Sequence, residues 1–488
     1  MGVEGGPLKK VSTAPPLAPD KLSEAFEHSI TWEDDLWRAD PVDVPEVHAK
    51  ARRKFNDLVT TIVSGRGFHV QDRILLFHGQ SGAGKTHLIR ALRTDSHRAG
   101  RAYFGYAQMT PDVANYADFY LRRLIHSFEK PYDPDRLGES ALSRLTNRLV
   151  LDSGVISSTD LEKLRDDVHD DGALARLILR LSDDIVASVR FQTQELDINI
   201  VRALLYLQRR DPRIDQRIRQ YLNGRLLTPI AHEAVCALDP NSGEDRAFEI
   251  ITAFGALVWS VERSALVFCI DQVEDLRFFD NAEERFQRAV RDLIQIANRL
   301  TNSIVIISCL EDFYSQVRSM VAQSYVDRIE KSGPVLLRES RTPEEAKLII
   351  SKRLEHQAER SGGLSFPDPS AFFGPQFFEE FGGLSTRRLL EHAQTRIREA
   401  TTTERDERDG TPPAPSFVST LAEALGQTSG YEDDSPHALS ALQFREMWER
   451  FANESEAEMP TDDQELVDVL SSALVLARDE WEIGRAHV

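Results

Sequence analysis

Residues 73–92 read RILLFHGQSGAGKTHLIRAL and pass from an apolar strand through a glycine-rich loop into a helix. Ile74, Leu75, Leu76 and Phe77 supply the strand, and Gly79, Gln80, Ser81, Gly82, Ala83 and Gly84 the loop. Lys85 and Thr86 open the helix, whose inner face carries Leu88, Ile89 and Leu92. The pattern is G-x-x-x-x-G-K-[ST] in the strand–loop–helix setting that gives it meaning. Each residue type has a physical reason. Glycines let the backbone wrap closely round phosphate groups, and amides at the start of a helix point at an anion. Lys85 is expected to reach the β- and γ-phosphates of a nucleotide, and Thr86 to place its hydroxyl on Mg²⁺.

Downstream, residues 101–109 (RAYFGYAQM) predict a second strand. From there to about Leu238 the pattern is helical. Leu121, Leu124, Ile125 and Phe128 share one face, Leu174, Leu177, Leu179 and Leu181 fall in one run, and Ile200, Leu204, Leu205 and Leu207 crowd another. The block 111–240 is thus expected to be a helical insertion in an α/β domain. Within it Arg202, Arg209, Arg210, Arg213, Arg217, Arg219 and Arg225 face only Asp211 and Asp215. That basic stretch reads either as a nucleic-acid or partner surface or as solvated helix faces with ordinary ion pairs.

A helix over residues 246–260 leads into ALVFCID, residues 265–271, an all-apolar run ending in an acid. A fully buried parallel strand has this composition, and its C-terminal end is where an α/β sheet places its chemistry. Asp271 is therefore expected to hold Mg²⁺ opposite Thr86. The residue after it is Gln272, and either Gln272 or Glu274 is a candidate to orient an attacking water; Glu274 is the nearest carboxylate that could act as base, with Asp275 second. A helix over residues 282–300 precedes SIVIISC, residues 303–309, a further buried strand. Its Ser308 is placed either to meet a γ-phosphate or attacking water, or to serve the structure alone.

Upstream, residues 1 to about 20 are Gly-, Pro- and Ser-rich, and residues 1–44 as a whole predict a flexible segment, with acids clustered round Trp32 and Trp37. Phe55, Leu58, Val59 and Ile62 then give a helical stripe. Over the 488 residues, 41% hydrophobic and 28% charged content is that of a globular protein, and the net charge of −20 means that nucleic-acid binding would need a local basic face. The three cysteines (Cys236, Cys269, Cys309) have no metal spacing and read as reduced core thiols. No run has the length of a membrane span, and a cytoplasmic protein is expected.

The order of these parts resembles the AAA+ ATPases and their signalling relatives, the STAND NTPases, over residues 45–400. GQSGAGKT resembles Walker A, LVFCID Walker B and IVIISC the sensor-1 strand. SYVDRIEKSGPVLLRESRTPEEAKLIISKRLE is similar to the end of an origin-recognition-type core running into a lid, and GGLSTRRLLEHA to the lid's sensor-2 helix. The resemblance implies an α/β fold of the P-loop NTPase kind, with a parallel sheet, the large helical insertion and a C-terminal helical lid (residues 341–400). It implies ATP with Mg²⁺ as ligands and assembly into a homo-oligomer on ATP binding. It also implies an arginine finger at Arg328 and a γ-phosphate sensor at Arg387, with Arg388 beside it. The DQVED sequence departs from the AAA+ acid–glutamate pair, so a slowly hydrolysing switch is expected.

Residues 401–438 read as a charged, Pro-rich linker and residues 439–481 as a helical region. Residues 482–488, EIGRAHV, back-translate to a common sequencing-library adapter, so the expectation is that they are foreign and that the natural chain extends past residue 481. Three functions stand at this stage. The first is an ATP-binding, ATP-hydrolysing switch that couples nucleotide state to assembly, with a role in prokaryotic defence. The others are an origin-recognition-like ATPase binding DNA through the residue 202–225 arginines, and an interaction module that binds nucleotide without turnover.

Overall fold

A computed structural model of the chain describes residues 24–26, 31–66, 72–110, 113–135, 138–165, 170–188, 196–243, 245–278, 281–361, 369–381 and 383–407. The glycine-rich N-terminus up to residue 20, the helical region 439–481 and the tail 482–488 lie outside the described residues.

Helix α1 (Ala49–Thr61) precedes strand β1 (Ile74–His78), helix α2 (Lys85–Arg98) and strand β2 (Ala102–Gln108). The helical block follows: α3 (Tyr116–Glu129), α4 (Ala141–Asp152), α5 (Ser158–Arg165), α6 (Asp171–Ala187), α7 (Ile198–Leu207), α8 (Pro212–Leu222) and α9 (Pro229–Glu233). Then come α10 (Arg246–Glu262), β3 (Ala265–Asp271), α11 (Ala282–Arg299), β4 (Ser303–Cys309), α12 (Glu311–Met320), α13 (Gln323–Glu330) and β5 (Val335–Leu336). The last described elements are α14 (Pro343–Arg360), α15 (Pro369–Phe373), α16 (Pro375–Phe381) and α17 (Thr386–Glu407).

The strands form one all-parallel sheet in the order β2-β3-β4-β1-β5. Every strand except short β5 is an apolar run buried on both faces, which is why the residues alternate between two cores without alternating in polarity. Leu75 and Phe77 of β1, Val267 and Cys269 of β3 and Ile304 and Ile306 of β4 pack with Phe55 and Val59 of α1 and Leu88, Ile89 and Leu92 of α2. The residues between them, Leu76, Phe268, Ile270, Val305 and Ile307, pack on the other face with α3, α10 and α11. By this parity Asp271 and Ser308 belong to the α2 face.

The block 111–240 is continuous with that second core, and α3 is its innermost layer: Gly105 of β2 lies so near Leu124 that a Cβ there would stand 2.8 Å from its Cδ1. Polar caps write the boundaries of these helices. Asn115, Ser140, Asp170, Asp197, Asp211 and Thr228 each accept a hydrogen bond from the first turn of α3, α4, α6, α7, α8 and α9. Leu179 departs from the expected stripe and is exposed, because Ala175 and Ile178 fill the inner face beside Leu174 and Leu181.

The residues read as a lid have an apolar cluster of their own, built from Ile350 and Leu354 of α14, Phe373, Phe377 and Phe378 of α15 and α16, and Leu389, Leu390 and Ala393 of α17. Helix α17 runs to Glu407, seven residues into the stretch expected to be linker. Part of the segment expected to be flexible is described. Leu36 and Trp37 join the sheet core, while Phe26 and Val44 join the lid cluster, with the Phe26 ring edge-on to Phe373 at 6.4 Å. A few large apolar side chains bury enough area to order an otherwise acidic stretch. Cys269 and Cys309 are buried thiols as expected, whereas Cys236 is exposed. Among the described residues no helix is long and apolar enough to cross a membrane.

Candidate functional site

The carboxyl ends of β1, β3 and β4 meet at the loop of residues 79–84. Gly79 continues β1, and its N–H donates to Cys309 O at 3.3 Å. A side chain at this position would place its Cβ 2.5 Å from Leu337 O, so only glycine fits between β4 and the chain leaving β5. Gly82 (φ +81°) and Gly84 (φ +92°) have the left-handed backbone that turns the loop into α2. Unlike the helices of the insertion, α2 has no side chain capping its first turn. The N–H groups that begin a helix have no intrahelical acceptor, and here they stand at the mouth of a glycine loop.

Lys85 lies across that loop, its Nζ donating to Gly79 O at 3.0 Å and Gln80 O at 3.1 Å. Thr86, one residue on, donates from Oγ1 to Asp271 Oδ2 at 2.6 Å. The contact follows from the parity of β3, which turns its terminal acid toward α2. Asp271 is fully buried, and its other oxygen accepts the Gln272 N–H at 3.0 Å. Tyr106 of β2 donates to Oδ2 from the far side at 3.3 Å. Burial, with the carboxylate beside it, pushes the Tyr106 phenol up, so it stays a neutral donor.

Glu274, in the 3-10 turn Val273–Phe278, points inward and is 8% exposed. Burial raises its carboxyl, opposed by its own backbone N–H and the Lys85 charge, and its Oε2 accepts the Leu310 N–H at 3.0 Å. Burial raises Asp275 as well. Gln272 adopts a left-handed backbone (φ 57°), and its amide oxygen accepts from Gln108 Nε2 at 2.5 Å, which ties it to the end of β2. Ser308 is fully buried, and its Oγ has no hydrogen-bond partner. Since Ile270 lies opposite Ile307, Ser308 and Asp271 are the next residues on adjacent strands.

The start of α17 stands over the loop. Ser385 and Arg387 lie within 3.8 Å of the point where a Cβ on Gly82 would be, and Arg387 Nε is buried with no hydrogen-bond partner. Arg388 faces outward into an open pocket of about 460 Å³ that Arg338, Glu339 and Ser340 also line. Arg328 is not brought to the loop; it is exposed on α13 and lines a groove of about 320 Å³ with Arg291, Gln295 and Arg299 of α11.

Four residues at the site left no mark as a motif. Tyr106 and Gln108 are two, and their position at the end of a buried strand is the only signal that could have found them. His48 and Arg341 are the others. His48 Nε2 lies 2.7 Å from Ala83 O, and the Arg341 guanidinium donates to the same oxygen at 2.6 Å.

Three arginines of the insertion's basic stretch are engaged within the chain. Arg202 reaches Asp183 and Asp239, Arg213 reaches Asp211, and Arg219 reaches Asp215 and Glu129. Beside α2, Asp40, Asp43 and His87 bring three possible metal-ligand atoms together, but Arg52 and Arg90 already neutralise the two acids. Burial would raise the Asp43 carboxyl, yet hydrogen bonds from His87 and Arg52 hold it at about 2.

No protein-family model, curated protein or solved structure matches the chain.

Proposed function

We propose that the chain is an ATP-binding, ATP-hydrolysing switch of the AAA+/STAND kind, with the sheet and loop of a P-loop NTPase. The observation that carries this reading is the 2.6 Å contact between Thr86 and Asp271, which sets a hydroxyl and a carboxylate side by side at the mouth of the glycine loop. The residues fit the ligands the reading requires. Left-handed Gly82 and Gly84 make the cradle, Lys85 adds a cation inside it, and Thr86 and Asp271 are the hard oxygen donors that Mg²⁺ prefers.

In this reading the loop amides and Lys85 hold the phosphates, and Thr86 and Asp271 hold Mg²⁺. Bound there, Mg²⁺ supplies charge neutralisation on the phosphate oxygens. Tyr106 keeps the Asp271 carboxylate oriented. Glu274 takes a proton from the attacking water at its carboxylate, with Ser308 as a polar group next to Asp271. Arg387, over Gly82, senses the γ-phosphate, and Arg328 acts on a neighbouring copy in a homo-oligomer. Hydrolysis then moves the lid against the sheet.

The test is Mg²⁺-dependent phosphate release from ATP, with GTP alongside, over a range of protein concentrations. Lys85→Ala and Glu274→Gln are expected to lower it by about two orders of magnitude each. Arg328→Ala is expected to abolish the rise of specific activity with concentration. Wild type that neither binds nor hydrolyses either nucleotide would overturn the reading. A module that binds ATP without turnover is the second reading, and Gln272 favours it: the side chain after the metal-binding acid is an amide tied to Gln108. Tight ATP binding with no phosphate release at any concentration would select it.

A further inference from the structure

The geometry points to a two-donor clamp on the Ala83 carbonyl, formed by His48 and Arg341, which orients the phosphate loop and makes its affinity depend on the docked lid. The inference rests on the phosphate-binding reading of residues 79–86. Ala83 is fully buried, and its oxygen receives both donors from outside the loop, His48 Nε2 at 2.7 Å and Arg341 at 2.6 Å. The described chain has no cis peptide bond. In a trans peptide the C=O and the next N–H point in opposite directions. Fixing the Ala83 carbonyl toward His48 and Arg341 therefore aims the Gly84 N–H away from them. Without the two donors that peptide unit is free to turn over, because Gly84 offers no side chain to oppose it.

Each donor is itself held. Burial and the Arg341 charge push the His48 imidazole down to about 3, so the ring is neutral. A carbonyl oxygen can only accept, so the 2.7 Å contact places the one N–H on Nε2, and Arg341 Nη2, 3.3 Å from that nitrogen, donates to the same carbonyl. His48 has a left-handed backbone (φ 59°) at the entry to α1, a conformation a non-glycine residue keeps only where its surroundings enforce it. Arg341 is 3% exposed; its Nε donates to Thr386 Oγ1 at 2.8 Å, and its backbone N–H to Leu384 O at 3.0 Å. Leu384 lies in the turn that leads into α17, and Thr386 is the first residue of that helix. A lid displaced from the sheet pulls on Arg341 and loosens its bond to Ala83. By linkage, a ligand that needs the Gly84 N–H in place also strengthens lid docking.

The experiment measures ATP affinity with Mg²⁺ by calorimetry, together with hydrogen exchange of residues 79–86 and 384–390 in the nucleotide-free full chain. His48→Phe keeps a ring without the donor and is expected to weaken ATP about tenfold, with faster exchange in both segments. His48→Gln, which restores an N–H donor, is expected to recover most of that loss, a rescue that a purely structural role would not give. Arg341→Lys is expected to weaken ATP more than tenfold. Should these variants fail to fold, Thr386→Val removes only an anchor of Arg341 and is expected to weaken ATP about threefold. Wild-type affinity and unchanged exchange in the folded variants would overturn the clamp. Wild type that binds no ATP overturns the phosphate reading instead. The exchange arm still decides the clamp, which stands if both segments loosen together and falls if they do not.

Discussion

Gly79 shows how much of the site depends on a missing side chain. A methyl group there would stand 2.5 Å from the Leu337 carbonyl, and that oxygen belongs to backbone that cannot swing aside. Gly79→Ala is expected to destabilise the fold by about 1–3 kcal/mol in urea titrations and, on the proposed function, to weaken ATP binding with it. His97 is a second residue with a measurable signature. It is buried, stacked at 4.3 Å on Tyr132, and bonded through Nδ1 to the Tyr132 carbonyl at 2.6 Å. Burial, with the Arg93 charge adding to it, pushes the imidazole well below its usual range. In the unfolded chain it titrates near about 6.5. The native form thus binds fewer protons, its stability is fully present above that pH, and it is lost as the pH falls, by up to about 1.4 kcal/mol per unit. Urea titrations at pH 7.5 and 5.5 are expected to show this loss, and His97→Phe to lessen it; equal slopes for both proteins would refute the assignment.

At the scale of elements, α14 begins with a capping box in which Thr342 Oγ1 accepts the Glu345 N–H and Glu345 returns the bond to the Thr342 N–H, with Pro343 at the first helical position. Thr342→Ala is expected to lower stability by about 1 kcal/mol, read as an earlier thermal transition. That helix start was legible in the sequence, as were β1, β3 and β4, because buried parallel strands are plain apolar runs and leave little room for another reading. The contact of Thr86 with Asp271 could be anticipated from the types and positions of two residues. The partners of Arg202 and Arg219 could not: Glu129 and Asp183 come from other helices and Asp239 from the loop after α9, and pairing at a distance leaves no periodic trace. His48 and Arg341 were invisible for a related reason. Both act on a main-chain carbonyl, which every residue has, so no side-chain motif marks the acceptor.

At the scale of the molecule, the segment before α1 touches both apolar bodies. Leu36 and Trp37 join the sheet core, Phe26 and Val44 the apolar cluster of α14 to α17, and Arg353 of α14 donates to Ala25 O at 3.1 Å. Removing residues 1–44 is expected to bare Phe373 and Phe377, raise binding of a hydrophobic dye and speed proteolysis within α14 to α17. An unchanged protease pattern would show that the lid holds itself. The packing of that segment was not legible because its large apolar residues stand singly among acids, where no window of sequence accumulates a signal.

The strand order has a consequence during synthesis on the ribosome. β1 lies between β4 and β5, and both emerge only after the whole helical block has been translated. At roughly 5–20 residues per second the strand bearing the glycine loop waits on the order of ten seconds or more, with neither neighbour to pair with. The nascent chain must therefore shelter β1, under α2 or in a chaperone, until its partners arrive. Synonymous codons that slow translation within the helical block would lengthen that exposure and lower the soluble yield without altering a single residue.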